Sequence, residues 1–203
     1  MEILIATGSR HKRMEFAAMF PEFDIAIPED KNISFAPKET GSSFFENALI
    51  KAETLFRETG RPSLADDSGL CVDALAGAPG IFSARFGSEN GKKLSDSERS
   101  ALLLAKMAGN AERNCRFVCC LVLYIGKDRF FSAQETLEGI LLDAPRGNGG
   151  FGYDPIVFLP DLGRSVAELS AEEKNRISHR GKAAKAIKAM LIKEAGAALR
   201  ESL

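Results

Sequence analysis

The 203-residue chain is 45% hydrophobic and 27% charged, an ordinary globular composition with enough material for a sizeable core without disulfides. Its 27 Lys and Arg nearly balance 28 Asp and Glu, so there is no global positive field of the kind that holds a nucleic-acid polymer. No 18 apolar residues run together and the apolar start is too short for a signal peptide, so neither membrane association nor secretion is expected and a cytoplasmic location follows.

The chain opens with EILIA, read as a strand. TGS then turns it into RHKRMEFAAMF, where Met14, Ala17 and Ala18 share one helical face. A glycine turn into a helix N-terminus suits phosphate, and Arg10 and Lys12 add charge; an ordinary βα turn with solvated basic residues explains the same letters. SFFENALIKAETLFRETG sets Phe45, Ala48, Leu49, Ala52, Leu55 and Phe56 at helical spacing, and Gly60 and Pro62 stop it. Ser43 and Glu46 fit a capping box, but Glu46, Asn47 and Lys51 also stand together on the polar side, where a metal or phosphate could be met.

PSLADD reads as a short buried strand ending at the adjacent carboxylates Asp66 and Asp67, and LCVDAL as another. Paired carboxylates repel each other and resist burial, so they are either solvated in a turn or held by a cation. Ser95 to Met107 is helical. RNCRFVCCLVLYIG and RFFSAQETLEGILL are two β-rich segments joined around Gly126 to Asp128 as an antiparallel hairpin. Cys71, Cys115, Cys119 and Cys120 form no CxxC pair and read as reduced, structural thiols.

GNGGFGYDP contains GxGxxG at Gly147, Gly149 and Gly152. Pro155 follows where a dinucleotide-binding helix would have to begin, which rules that reading out. A glycine approach to a flat ligand that stacks on Phe151 or Tyr153 remains, beside a plain glycine-rich hairpin with core aromatics. PIVFLP is a further strand. Ser170 and Glu173 cap a helical turn, and from about Ser178 a last helix buries Ala183, Ala184, Ile187 and Leu191. His179 and Arg180 at its N-terminus run against the helix dipole, which an anion or a carbonyl oxygen would offset. Early alternation of helices and strands, with an antiparallel pair later, predicts an α/β fold with a mixed sheet.

The stretches ATGSRHKRMEF, FFENALIKA, LADDSGLCVDALAGAPGIFSARF, GNGGFGYDPIVF and EEKNRISHRGKA are spread over nearly the whole chain. In order and wording they resemble the inosine triphosphate pyrophosphatases, enzymes that clear noncanonical purine nucleoside triphosphates from the nucleotide pool. The family's first motif usually reads TGN, and here Ser9 stands where it has Asn. The resemblance implies a single domain of two lobes around a central cleft, built on an elongated mixed sheet with flanking helices and usually found as a homodimer. It also implies Mg²⁺ as cofactor, with Mn²⁺ as the alternative, and hydrolysis at the α-phosphorus to a monophosphate and pyrophosphate.

By the same resemblance Asp67 binds the metal with Glu46 and activates water, with Asp66 as a supporting neighbour. Thr7, Gly8, Ser9, Arg10, His11 and Lys12 cradle the triphosphate with Lys51 and Ser68. Phe151 stacks on the base in the stretch completed by Gly152, Tyr153 and Asp154, and Lys174, His179 and Arg180 meet the edge of a 6-oxo purine. Two other functions are weighed beside this: a sensor that holds a purine triphosphate without cleaving it, and a phosphatase that releases orthophosphate.

Overall fold

The computed structural model describes residues 2–88, 93–127 and 129–201, and describes the α5 side chains only as far as residue 192. Strands β1 (Glu2–Ile5), β2 (Asp24–Ala26), β3 (Ser63–Val72), β4 (Asn114–Gly126), β5 (Arg129–Leu141), β6 (Val157–Leu159) and β7 (Arg164–Ser165) form a seven-stranded sheet in the order β2-β1-β3-β4-β5-β6-β7. The helices are α1 (Arg10–Met19), α2 (Phe44–Thr59), α3 (Asp96–Lys106), α4 (Ala171–Ile177) and α5 (His179–Glu201). β1 pairs in parallel with β2 and β3, and β6 pairs antiparallel with β5 and β7, so the sheet is mixed as expected. β4 and β5 are sheet neighbours two residues apart in sequence, a connection that only an antiparallel pair allows. Asp128 of the expected hairpin turn lies outside the described residues.

The chain divides into two compact units, residues 1–67, 119–135 and 180–203 in the first, and 68–118 and 136–179 in the second. The first unit buries two apolar clusters that follow the period-two alternation of its strands. One gathers Ile3, Ile5, Leu64, Cys119 and Leu121 with Phe16 and Phe20 of α1 and Ala183, Ala184 and Ile187 of α5. The other gathers Leu4, Ala65, Cys120 and Val122 with Ala48, Ala52 and Leu55 of α2. Neighbouring residues of β3 and β4 therefore fall in different clusters, as successive strand side chains must. The second unit has its own core around Leu70, Val72, Leu103, Phe117, Tyr153 and Ile156.

α2 keeps its expected face, and Gly60 ends it in the left-handed region at φ 65°. α5 likewise buries Ala183, Ala184 and Ile187, with Leu191 half-buried. α1 corrects the reading of its face: Met14 is 62% exposed and Ala17 and Ala18 are exposed, while Phe16 and Phe20 are fully buried. Both rows have helical spacing, and burial of two aromatic rings decides between them, since truncating a buried Phe costs about 3–5 kcal/mol.

The break after the paired carboxylates is also corrected. β3 runs unbroken for ten residues through Asp66, Asp67, Ser68 and Gly69. Gly69 marks a close backbone approach, not a turn: a Cβ there would stand 2.2 Å from the Gly80 carbonyl oxygen.

Candidate active site

In the first unit, the two aspartates follow the alternation of β3. Asp66 continues the side of Leu64, where α1 and α5 pack, and Asp67 continues the side of Ala65, where α2 packs. The Asp66 side chain is completely buried. Its Oδ1 accepts from Lys12 Nζ at 2.6 Å and its Oδ2 from Arg180 Nε at 2.5 Å, with the Cys119 thiol donating to Oδ2 at 3.5 Å. Burial alone would raise this carboxyl's pKa, but the Arg180 and Lys12 charges outweigh it and hold it well below the usual carboxylate range.

Arg180 is 2% exposed, and its Nη1 donates to Glu15 Oε2 at 2.7 Å. The anion expected to offset a cation at the start of α5 is thus supplied by the protein itself, as Asp66 and Glu15. The guanidinium is thus paired with two carboxylates, an ion-pair role that stands beside the contact with a base edge expected of it.

Asp67 meets a separate cation. Lys51 Nζ donates to Asp67 Oδ1 at 2.6 Å, to the Asp66 carbonyl at 2.9 Å and to Glu39 Oε1 at 3.0 Å. Asp67 Oδ2 is buried and has no hydrogen-bond partner among the described residues. Burial pushes the Asp67 carboxyl above its ordinary value, Lys51 and Lys12 pull against the rise, and Glu39 adds to it. Burial also works against the Lys51 ammonium, but Asp67 and Glu39 hold its pKa above the ordinary value.

α2 presents Asn47 and Lys51 one turn apart. Residues 39–42 are fastened to it three times: Glu39 on Lys51, the Gly41 N–H on Asn47 Oδ1 at 2.9 Å, and the Ser42 N–H and hydroxyl on Glu46 Oε2 at 2.6 and 2.8 Å. Glu46 is exposed, and the Ser42 hydrogen bonds lower its pKa. Ser43 Oγ accepts from the Glu46 N–H at 3.1 Å, so half of a capping box forms, with the returning carboxylate shifted by one residue to Ser42.

The TGSRHK turn is now explained at Ser9. Its Oγ accepts from the Lys12 N–H at 3.3 Å as the N-cap of α1, and its own N–H donates to Thr7 Oγ1 at 3.0 Å. Serine and asparagine are equivalent N-caps, which accounts for the departure from TGN without a ligand. Gly8 and His11 are exposed, and Arg10 forms an exposed pair with Glu29.

In the second unit, Phe151 lies on the glycine-rich loop. Its N–H donates to Asp154 Oδ2 at 2.9 Å, and the same oxygen accepts from Lys174 Nζ at 2.7 Å. That ammonium stands 4.4 Å from the centroid of the Phe151 ring, a cation–π arrangement covering one ring face. Gly150, at φ 70°, is needed here because a Cβ would fall 2.0 Å from Asp154 Oδ2. His179 stacks on Phe117 with centroids 5.0 Å apart. Tyr153 is buried and its hydroxyl donates to the Ser83 carbonyl at 3.0 Å. Within the loop, Tyr153 is thus a core anchor and Asp154 the acceptor for Phe151 and Lys174. Beside the loop is a cavity of about 590 Å³ lined by Ser97, Ser100 and Leu104 of α3 and by Asn148, Phe151 and Pro155.

Three side chains in these clusters escape a sequence reading. Glu15 carries one signal, its position a turn after Lys12 on α1. Glu39 has none, since it precedes the helix in an irregular stretch. Asp96, which accepts the Gly152 N–H, reads only as an acid in the first turn of α3.

Among the described residues no group of three or more His, Cys, Asp or Glu is arranged to hold a metal. A site completed by substrate phosphates needs fewer protein donors: Mg²⁺ commonly takes one or two carboxylates plus phosphate oxygens. The buried, unpartnered Asp67 Oδ2 and the exposed Glu46 carboxylate fit that demand.

A mixed α/β sheet, two adjacent aspartates on one strand each bound by its own lysine, and a glycine loop bearing an aromatic define the class of protein here. The chain belongs to the Ham1 family, whose sequence model matches residues 3–190. It is 50% identical over 183 residues to the dITP/XTP pyrophosphatase of Treponema denticola, covering 90% of this chain and 94% of that one. To the dITP/XTP pyrophosphatase of Geobacillus kaustophilus it is 45% identical over 186 residues, covering 90% of each. Its fold is that of the Staphylococcus aureus Ham1 protein, with a TM-score of 0.85 at 38% identity over 96% of this chain and 100% of that one.

Proposed function

We propose that the chain hydrolyses noncanonical purine nucleoside triphosphates, dITP or ITP and XTP or dXTP, to the monophosphate and pyrophosphate. Its membership of the Ham1 family and its similarity to dITP/XTP pyrophosphatases support the reaction. The observation that carries the mechanism is Asp67: one oxygen is fixed by Lys51, and the other is buried and unpartnered. A carboxylate whose proton affinity is raised by burial is suited to take a proton from an attacking water.

Lys12 and Lys51, each bound to an aspartate, meet phosphate oxygens, helped by the N-terminus of α1, whose first turn carries no acid. Glu46 and Asp67 would hold Mg²⁺, or Mn²⁺ in its place, and the ion when bound screens the phosphate charge and lowers the pKa of its water. Ser68 and the Thr7 to Lys12 turn complete the phosphate contacts. Phe151 stacks on the base, and Lys174 and His179 offer donors to a 6-oxo group, which an adenine amino group would face as a like donor.

The same reading takes the protein as a cytoplasmic homodimer. The free, buried cysteines support a reducing compartment, with burial raising the Cys115 thiol to about 12 and Cys120 to about 11. No helix among the described residues is long and apolar enough to cross a membrane.

The test is incubation with dITP, XTP, GTP and ATP plus Mg²⁺, assaying both anions. Pyrophosphate is expected from dITP and XTP; orthophosphate would make the protein a phosphatase, and no anion with retained binding would make it a sensor. Asp67→Asn keeps the shape and removes the proton acceptor, so turnover should fall by roughly 10²-fold to 10⁴-fold.

A further inference from the structure

The loop that carries Phe151 is held from α3 as well as from Asp154. Asp96 Oδ2 accepts the Gly152 N–H at 2.6 Å, and the buried Ser100 hydroxyl reaches the Gly152 carbonyl at 3.4 Å. Residues one turn apart on α3 thus take both polar groups of a single residue, the one that follows Phe151 in the chain. The Asp96 carboxylate is itself aimed, because Arg99 holds its other oxygen while donating to the Leu94 carbonyl at 2.5 Å. Gly152 adopts φ 64° and no atom stands within 4 Å of where its Cβ would be, so no packing contact of a side chain fixes it. Its conformation depends on these hydrogen bonds.

We propose that Asp96 is a positioning residue for base recognition, clamping the Gly152 peptide so that the Phe151 ring is presented to a purine in one orientation. The inference rests on the reading of Phe151 as the base-stacking residue. Stacking depends on ring orientation, so a loop without its clamp must be ordered at the moment of binding, and that entropy is subtracted from affinity. The triphosphate contacts and the proton transfer are left alone. The signature is a rise in KM at constant kcat, confined to ligands that carry a base.

The test compares Asp96→Ala, Asp96→Asn and Phe151→Ala with the parent enzyme, measuring KM and kcat for ITP and the inhibition constant of inorganic tripolyphosphate, which has no base. Asp96→Ala should raise KM about tenfold, within the ~1–3 kcal/mol expected of one stacked base, with kcat and the tripolyphosphate constant unchanged. Asp96→Asn keeps an acceptor oxygen and should restore the parental KM. Hydrogen exchange followed by mass spectrometry gives a readout that needs no activity: Asp96→Ala should speed exchange in the peptide spanning Gly152 and leave the β3 and β4 peptides protected. Parental KM and exchange in Asp96→Ala, beside a raised KM in Phe151→Ala, would overturn the clamp alone. An equal rise in KM and in the tripolyphosphate constant would overturn it as well, by making Asp96 a general support of the fold. If Phe151→Ala keeps the parental KM, base stacking itself is wrong and the positioning role falls with it.

Discussion

Arg180 Nε lies 2.5 Å from Asp66 Oδ2, and both side chains are out of solvent. A buried carboxylate and a buried guanidinium at that separation are stable as a pair, and the cation keeps Asp66 ionised against its burial. Lys12 and Glu15 extend the pair to a chain of alternating sign, Lys12, Asp66, Arg180, Glu15, drawn from α1, β3 and α5.

Removing Arg180 therefore acts on the whole cluster. Arg180→Ala should lower stability by about 3–5 kcal/mol, the usual result of stripping one partner from a buried pair. Activity on ITP and on ATP should fall by the same factor, because the loss reaches both through Asp66. Denaturant midpoints and the two kcat/KM values check this; a selective loss on ITP with the stability intact would return Arg180 to the base.

Glu46 separates the cap from the metal. Glu46→Gln keeps an oxygen to accept the Ser42 N–H and hydroxyl, so the melting temperature should hardly change. The Mg²⁺ concentration for half-maximal activity should rise on the order of tenfold if the carboxylate takes part in metal binding. An unchanged Mg²⁺ titration would confine Glu46 to the helix start.

Glu173 gives a pH dependence of known sign. Hydrogen bonds from Arg164 and Ser170 hold its carboxyl at about 2, below its unfolded value of about 4.3. Between those values the unfolded chain binds more protons, so stability rises with pH there. The contribution is present above the unfolded pKa and is lost as pH falls through about 2. Glu173→Gln keeps the cap acceptor and loses the charge. The parent should melt above this variant at pH 6, with the gap closing as pH approaches 2; a gap independent of pH would remove Glu173 from acid stability.

Much of this was legible where the signal is local. α2, α3 and α5 follow from apolar periodicity, and Gly60 and Ser95 mark boundaries that the backbone respects. What escaped depends on partners far along the chain. Asp66 and Arg180 are 114 residues apart, so the letters alone make the DDSG stretch a strand end, while the folded chain neutralises both acids and continues the strand. Ser9 reads as an altered ligand contact until the α1 cap is seen. The buried side of α1 is ambiguous because both rows have the right spacing, and only the mass of the rings decides.

The alternation of β3 has a consequence for how this chain tolerates change. Side chains on a strand are assigned to faces by counting, so a deletion or insertion of one residue between Ser63 and Asp66 would exchange the addresses of the two acids. Asp67 would be delivered toward Arg180 and Asp66 toward Lys51, with every residue type still present. Parity along this short stretch is thus as much a part of the site as the acids themselves. Length variation belongs instead in the irregular segment before Glu39, where no strand register has to be kept.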